Sequence, residues 1–161
     1  MTTRSLLHYD PSGEFTLPAL QGWSIIAVDD ALAAQKLANQ QCYVVGICSI
    51  NAASALPPIE ELVADTPLEW IAVLPPAYIA NCDTNRLISQ SFYDYHTLPI
   101  DPRRLEITLG RAWGIGQLKI ASRTADGAPP TQYEMVGASP QMHALFHTIR
   151  KVATVDAPVL V

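Results

Sequence analysis

The sequence predicts an α/β fold: a flavodoxin-like, receiver-like three-layer sandwich with a central parallel five-stranded sheet. Two observations carry that reading. Short apolar runs alternate with helical patterns at even spacing, which is the signature of a parallel sheet covered by helices. The third run, residues 42–50, does not alternate with polar residues, as expected of a strand buried on both faces. The size agrees. A chain of 161 residues with 49% hydrophobic and 16% charged residues suits one core plus a short appendage, and near this length roughly 68–70% of the extended chain's surface is hidden.

The elements follow in order. Residues 5–10 (SLLHYD) form the first strand, broken by Pro11, Ser12 and Gly13. Residues 23–28 (WSIIAV) form the second, and Asp29 or Asp30 can cap a helix over 31–39. After the third strand, Pro57 and Pro58 suit a helix start, with the helix over 59–64. Residues 70–74 (WIAVL) make the fourth strand, stopped by Pro75 and Pro76, and 85–92 a short helix. Residues 95–98 give a short fifth strand before Pro99. Asp101 and Pro102 provide the cap and first turn of a helix from about 103 toward 120. Its apolar row is Leu105, Leu109, Ala112, Ile115 and Ile120, with Trp113 beside it. Gly110, Gly114 and Gly116 weaken that helix by about 1 kcal/mol each relative to alanine, so it needs a neighbour, which the missing side chains admit closely. The expected domains are 1–122, a polar linker over 123–132 with Gly127, Pro129 and Pro130, and the truncated start of a further domain over 133–161.

Composition excludes several functions. The formal charge of -5 offers no footprint for a phosphate backbone. Cys42, Cys48 and Cys82 form no close pair, and the first two sit in an apolar run where cysteine behaves as a small hydrophobe. A reducing cytoplasmic compartment fits, without a signal peptide or an 18-residue apolar run. His8 and His96 are isolated, while His143 and His147, four apart, lack an intervening HExxH glutamate. No Walker loop, GxSxG elbow or GxGxxG fingerprint is present, so the fragment is expected to be non-catalytic, with neither metal nor cofactor of its own. Asp29 and Asp30, the only acidic pair at a strand end, read as caps rather than ligands. Phe92, Tyr93, Asp94 and Tyr95 gather aromatic area at the sheet edge.

Two stretches resemble known families. Residues 133–161 carry Val136-Gly137-x-Ser139-Pro140-x-Met142, a helix ending Ile149-Arg150-x-Val152-Ala153, and Ala157-Pro158-Val159-Leu160-Val161. This closely resembles the opening of the AAA+ ATPase domain of sigma-54-dependent transcriptional activators, whose Walker A loop would come next. The resemblance implies that Val136 and Gly137 lie on the adenine side of the parent ATPase, and that the parent uses ATP and Mg²⁺, sigma-54 RNA polymerase and enhancer DNA. Upstream, the pattern resembles the receiver domain of response regulators, with residues 94–101 in place of the loop that carries their lysine-proline. Leu98 stands where the lysine would be, Leu74 near the threonine or serine, and residues 46–48, ending in Cys48, offer no phosphoacceptor aspartate. Asp10 alone remains of the acidic pocket, and Tyr95 matches the switch aromatic. Degenerate receivers of this kind resemble those of FleQ-like and VpsR-like regulators, which answer to cyclic di-GMP.

The expected function is therefore a regulatory, homodimerising domain not activated by aspartyl phosphorylation. Its interface candidates are Phe92, Tyr93, Tyr95, Arg103, Arg104 and Trp113. The alternatives are an unconventional phosphorylated receiver using Asp10, Asp29 or Asp30, and a small-molecule sensor.

Overall fold

A computed structural model describes residues 3–40, 42–52 and 55–125. The elements are β1 (Arg4–Tyr9), β2 (Trp23–Val28), α1 (Ala31–Ala38), β3 (Val45–Ser49), α2 (Leu56–Ala64), β4 (Glu69–Leu74), a 3-10 helix (Pro76–Ala80), α3 (Cys82–Ser91), β5 (Asp94–Thr97) and α4 (Pro102–Ala125). The five strands are parallel in the order β2-β1-β3-β4-β5. This is the expected sandwich.

Strand alternation sorts the core onto two faces. Leu7, Tyr9, Cys48, Trp70, Ala72 and Leu74 pack with Ala34, Ile59, Leu62 and Leu87 beneath α1, α2 and α3. Leu6, Val45, Ile47, Ile71 and Val73 pack on the other side with Leu105, Leu109 and Ala112 of α4. That second layer holds one helix and a loop, because residues 10–22 cross from β1 to β2 without a helix. Pro11 and Pro18 lack backbone donors, and Gly13 and Gly22 take left-handed φ values of 67° and 77°. Phe15, Leu17 and Leu20 of the loop do the covering instead. Strand β2 is consequently a half-exposed edge.

Caps explain the helix boundaries. Asp30 accepts from the Ala33 N–H (2.7 Å), so the predicted acidic cap of α1 belongs to Asp30. Asn81 accepts from Asp83 and Thr84, which starts α3 three residues before the predicted position. Asp101 accepts from Arg103 and Arg104 at the head of α4.

Two expectations need correction. Residues 42–44 lie ahead of β3, because the Tyr43 N–H turns back to the Gln40 carbonyl, and Cys42 is exposed. Strand β4 stops before Pro75 as expected, and Pro76 opens the 3-10 helix. On α4, Ile115 and Ile120 are exposed rather than seam residues; the buried row is Leu105, Thr108, Leu109, Ala112 and Gly116. Gly116 takes the seam because a Cβ there would collide with Val44, so the helix backbone itself sits on the sheet end. Lys119 pairs with Glu69 one turn along (2.5 Å). Residues 126–161, with Val136, Gly137, His143 and His147, lie outside the described residues.

Gly46 shows the same economy inside the sheet. A Cβ on it would meet three Trp70 ring atoms, and that ring is fixed because Nε1 donates to Thr66 Oγ1 (2.8 Å), which donates to the Leu62 carbonyl. Gly46→Ala is expected to destabilise the fold by about 1–3 kcal/mol, read as a lower urea midpoint at unchanged slope.

Candidate functional site

Sites of this fold lie beyond the carboxyl ends of the strands. Asp10 follows β1 there, 4% exposed, its own N–H donating to the Val28 carbonyl. Its carboxylate points into the β1–β2 loop. Oδ1 accepts from the Ser12 N–H (3.1 Å) and hydroxyl (2.7 Å), and Oδ2 from the Phe15 N–H (2.7 Å). A carboxylate has about four lone-pair positions, so three of them hold the chain that replaces a helix.

Next to Asp10, β3 ends in Ser49, which is fully buried. Ser49 Oγ is hydrogen bonded to His8 Nε2 at 2.8 Å. The strand register makes this pairing: His8 lies opposite Ile47 and Tyr9 opposite Cys48, so Ser49 falls beside Asp10. The sequence-based site residues do not include this pair. The signal was alternation: 45, 47 and 49 share the face of 6 and 8.

The four residues expected to mark a degenerate receiver pocket do not all converge. Asp10 lies at the strand ends, and Leu98 packs into the apolar core on the α4 face. Cys48 and Leu74 face the opposite way, into the core under α1–α3. Burial pushes the Cys48 thiol far up, so it is an inert core group rather than a nucleophile. Of the interface candidates, Phe92 packs against that same core, whereas Tyr93 and Tyr95 are exposed. Arg103 and Arg104 are exposed on α4. Trp113 packs on the Arg4 guanidinium (4.4 Å to the ring centroid), which also lies 5.5 Å from the Trp23 ring.

An open cavity of about 290 Å³ above β1 and β2 is lined by His8, Asp10, Gly13, Phe15, Ala27, Val28 and Asp29. It does not fit the Mg²⁺ of a phosphoryl-transfer site, which needs several hard oxygen ligands. Asp10 spends its oxygens on the loop, and among the described residues no three His, Cys, Asp or Glu are placed to hold a metal ion.

The geometry defines a receiver-like domain whose strand ends hold a serine–histidine pair and an aspartate hydrogen bonded to its own loop. The chain matches the VpsR domain family over residues 3–110 and belongs to it. It is 27% identical over 147 residues to the transcriptional regulatory protein ZraR of Klebsiella oxytoca, covering 88% of this chain and 32% of that protein. It therefore spans about a third of that relative's length. Among solved structures, NtrX from Brucella abortus with bound ADP superposes with a TM-score of 0.56 at 20% identity, covering 92% of this chain and 34% of NtrX. The signal receiver domain of a LuxO repressor protein from Vibrio parahaemolyticus superposes at 0.53 with 12% identity, covering 74% and 97%. These likenesses show the fold. No helix among the described residues is long and apolar enough to cross a membrane.

Burial lowers the affinity of both His8 and His96 for a proton, against the opposing pull of Asp10 on His8 and of Asp94 and Asp101 on His96, where Arg104 adds to the lowering. His96 Nε2 meets Thr108 Oγ1 of α4 at 3.1 Å. Both rings therefore take up a proton less readily in the fold than in the unfolded chain, where the ordinary value is 6.5. The unfolded state thus binds more protons, and this stability is full above pH 6.5 and lost as pH falls below it. Urea unfolding at pH 7.5 and 5.5 should show the loss, and the double variant His8→Gln, His96→Gln should flatten it.

Proposed function

We propose that residues 1–122 are a regulatory domain of a sigma-54-dependent transcriptional activator that acts by self-association rather than by aspartyl phosphorylation. The observation that carries this is the pocket itself. Residues 46–48 offer no aspartate, and the strand ends beside them hold a buried serine bonded to a histidine and an aspartate bonded to its own loop. Leu98 supplies no cation to balance a phosphoryl charge. The names of ZraR and NtrX, and the resemblance of residues 133–161 to an ATPase opening, support the larger context. In this reading ATP and Mg²⁺, and cyclic di-GMP, belong to the ATPase portion beyond residue 132. So do the contacts with RNA polymerase and enhancer DNA.

The lever of such a domain is a surface. Helix α4 supplies it: Arg103, Ile107, Arg111 and Leu118 are exposed along one side, with Tyr93 and Tyr95 exposed at the neighbouring edge strand. Light scattering should therefore find residues 1–122 associating as concentration rises, and charge reversal on α4 should weaken that association. A strictly monomeric species at high concentration would refute it. Beryllofluoride with Mg²⁺ should leave the amide shifts of Asp10, Ser49 and Leu98 in place; a cooperative response would instead favour the phosphorylated receiver.

A further inference from the structure

The charges of this domain are segregated by element. Segment 102–125, the whole of α4, holds five Lys or Arg (103, 104, 111, 119 and 123) against Glu106 alone. The other described residues hold three Lys or Arg against eleven Asp or Glu. The basic helix is also the one with an open apolar side. Ile107 and Leu118 are 58% and 67% exposed, about 16 Å apart along the axis, and Gly110 and Gly114 between them have empty space where a Cβ would stand. The result is a notch in the middle of a basic, apolar ridge.

The complementary shape lies on the other face of the sheet. Between α1 and α2 runs a groove of about 280 Å³ lined by Ala31, Leu32, Gln35, Pro58, Glu61 and Leu62. Leu32 stands 57% exposed from it. Glu60 and Glu61 are exposed on α2, with Asp29 and Asp30 before α1 and Asp65 after α2; Lys36 is the one basic side chain on the two helices. A leucine knob within an acidic surround matches a glycine notch within a basic one, in charge and in the knob-into-hole manner by which helices interlock.

We propose that the α4 notch of one copy docks on the acidic α1–α2 groove of a second copy, head to tail. This rests on the self-association through α4 argued above and names the surface that α4 meets. The two surfaces lie on opposite faces of one sheet, so a single partner does not satisfy both. A heterologous contact of this kind continues into rings or chains rather than closing at two.

Sedimentation equilibrium of this chain and two variants, each checked by circular dichroism for folding, tests the assignment. The expected mass rises past the dimer with concentration. Arg103→Glu with Arg111→Glu should weaken association by about tenfold or more, as should Glu60→Lys with Glu61→Lys, both from like-charge juxtaposition. Mixed together, the two variants should recover association, because each then offers the other an opposite charge; misfolded chains would not recover. If the Glu60, Glu61 variant associates like the unaltered chain while the α4 variant does not, the groove assignment is overturned and the α4 reading stands. If the α4 variant also associates unchanged, or the unaltered chain stays monomeric, both fall.

Discussion

The carboxylate of Asp10 is the constraint from which the unusual features of this domain follow. By accepting from Ser12 and Phe15 it fixes the exit of β1 as a closed loop. The chain then runs to β2 without a helix, and Phe15, Leu17 and Leu20 reach back over the sheet. The loop is secured at its far end when the Gln21 N–H donates to Glu106 of α4 (2.9 Å). Two carboxylates thus hold the β1–β2 crossing, Asp10 at its start and Glu106 of α4 at its end. Three of the roughly four acceptor positions of the Asp10 carboxylate are thereby committed to the loop.

The other buried polar groups on this face of the sheet are also satisfied by partners. A buried serine and a buried histidine each cost about 1–3 kcal/mol if left unpaired, and here they pair with one another. His96 and Thr108 do the same between β5 and α4. Both pairs lie on the face that α4 covers; His8 and Ser49 tie β1 to β3 within the sheet, and His96 and Thr108 join the sheet to its last helix beside the apolar contacts. The outer side of α4, with Ile107 and Leu118 exposed, takes no part in this packing.

Much of the fold was legible because its signals are local. Apolar runs, Pro57, Pro58 and Pro102, and the Asp30 and Asp101 caps lie within a few residues of what they determine. The helix-free crossing from β1 to β2 was legible in part, since Pro11, Ser12 and Gly13 announced a break but not the role of Asp10. Ser49 with His8 was not legible, because their contact spans 41 residues and depends on strand register that no single strand encodes. Ile115 and Ile120 misled for a related reason: helical period gives a face, but the seat of Gly116 on Val44 decides which face is turned inward.

The most direct test of this account is Mn²⁺ titration followed by amide line broadening, since a paramagnetic ion bound at a receiver pocket erases signals around it. If the Asp10 carboxylate is committed to its loop, the Ser12, Gly13 and Phe15 amides keep their intensity at millimolar Mn²⁺. Selective, saturable loss of those signals, together with Ser49, would show a working acidic pocket and contradict the claim that Asp10 is structural.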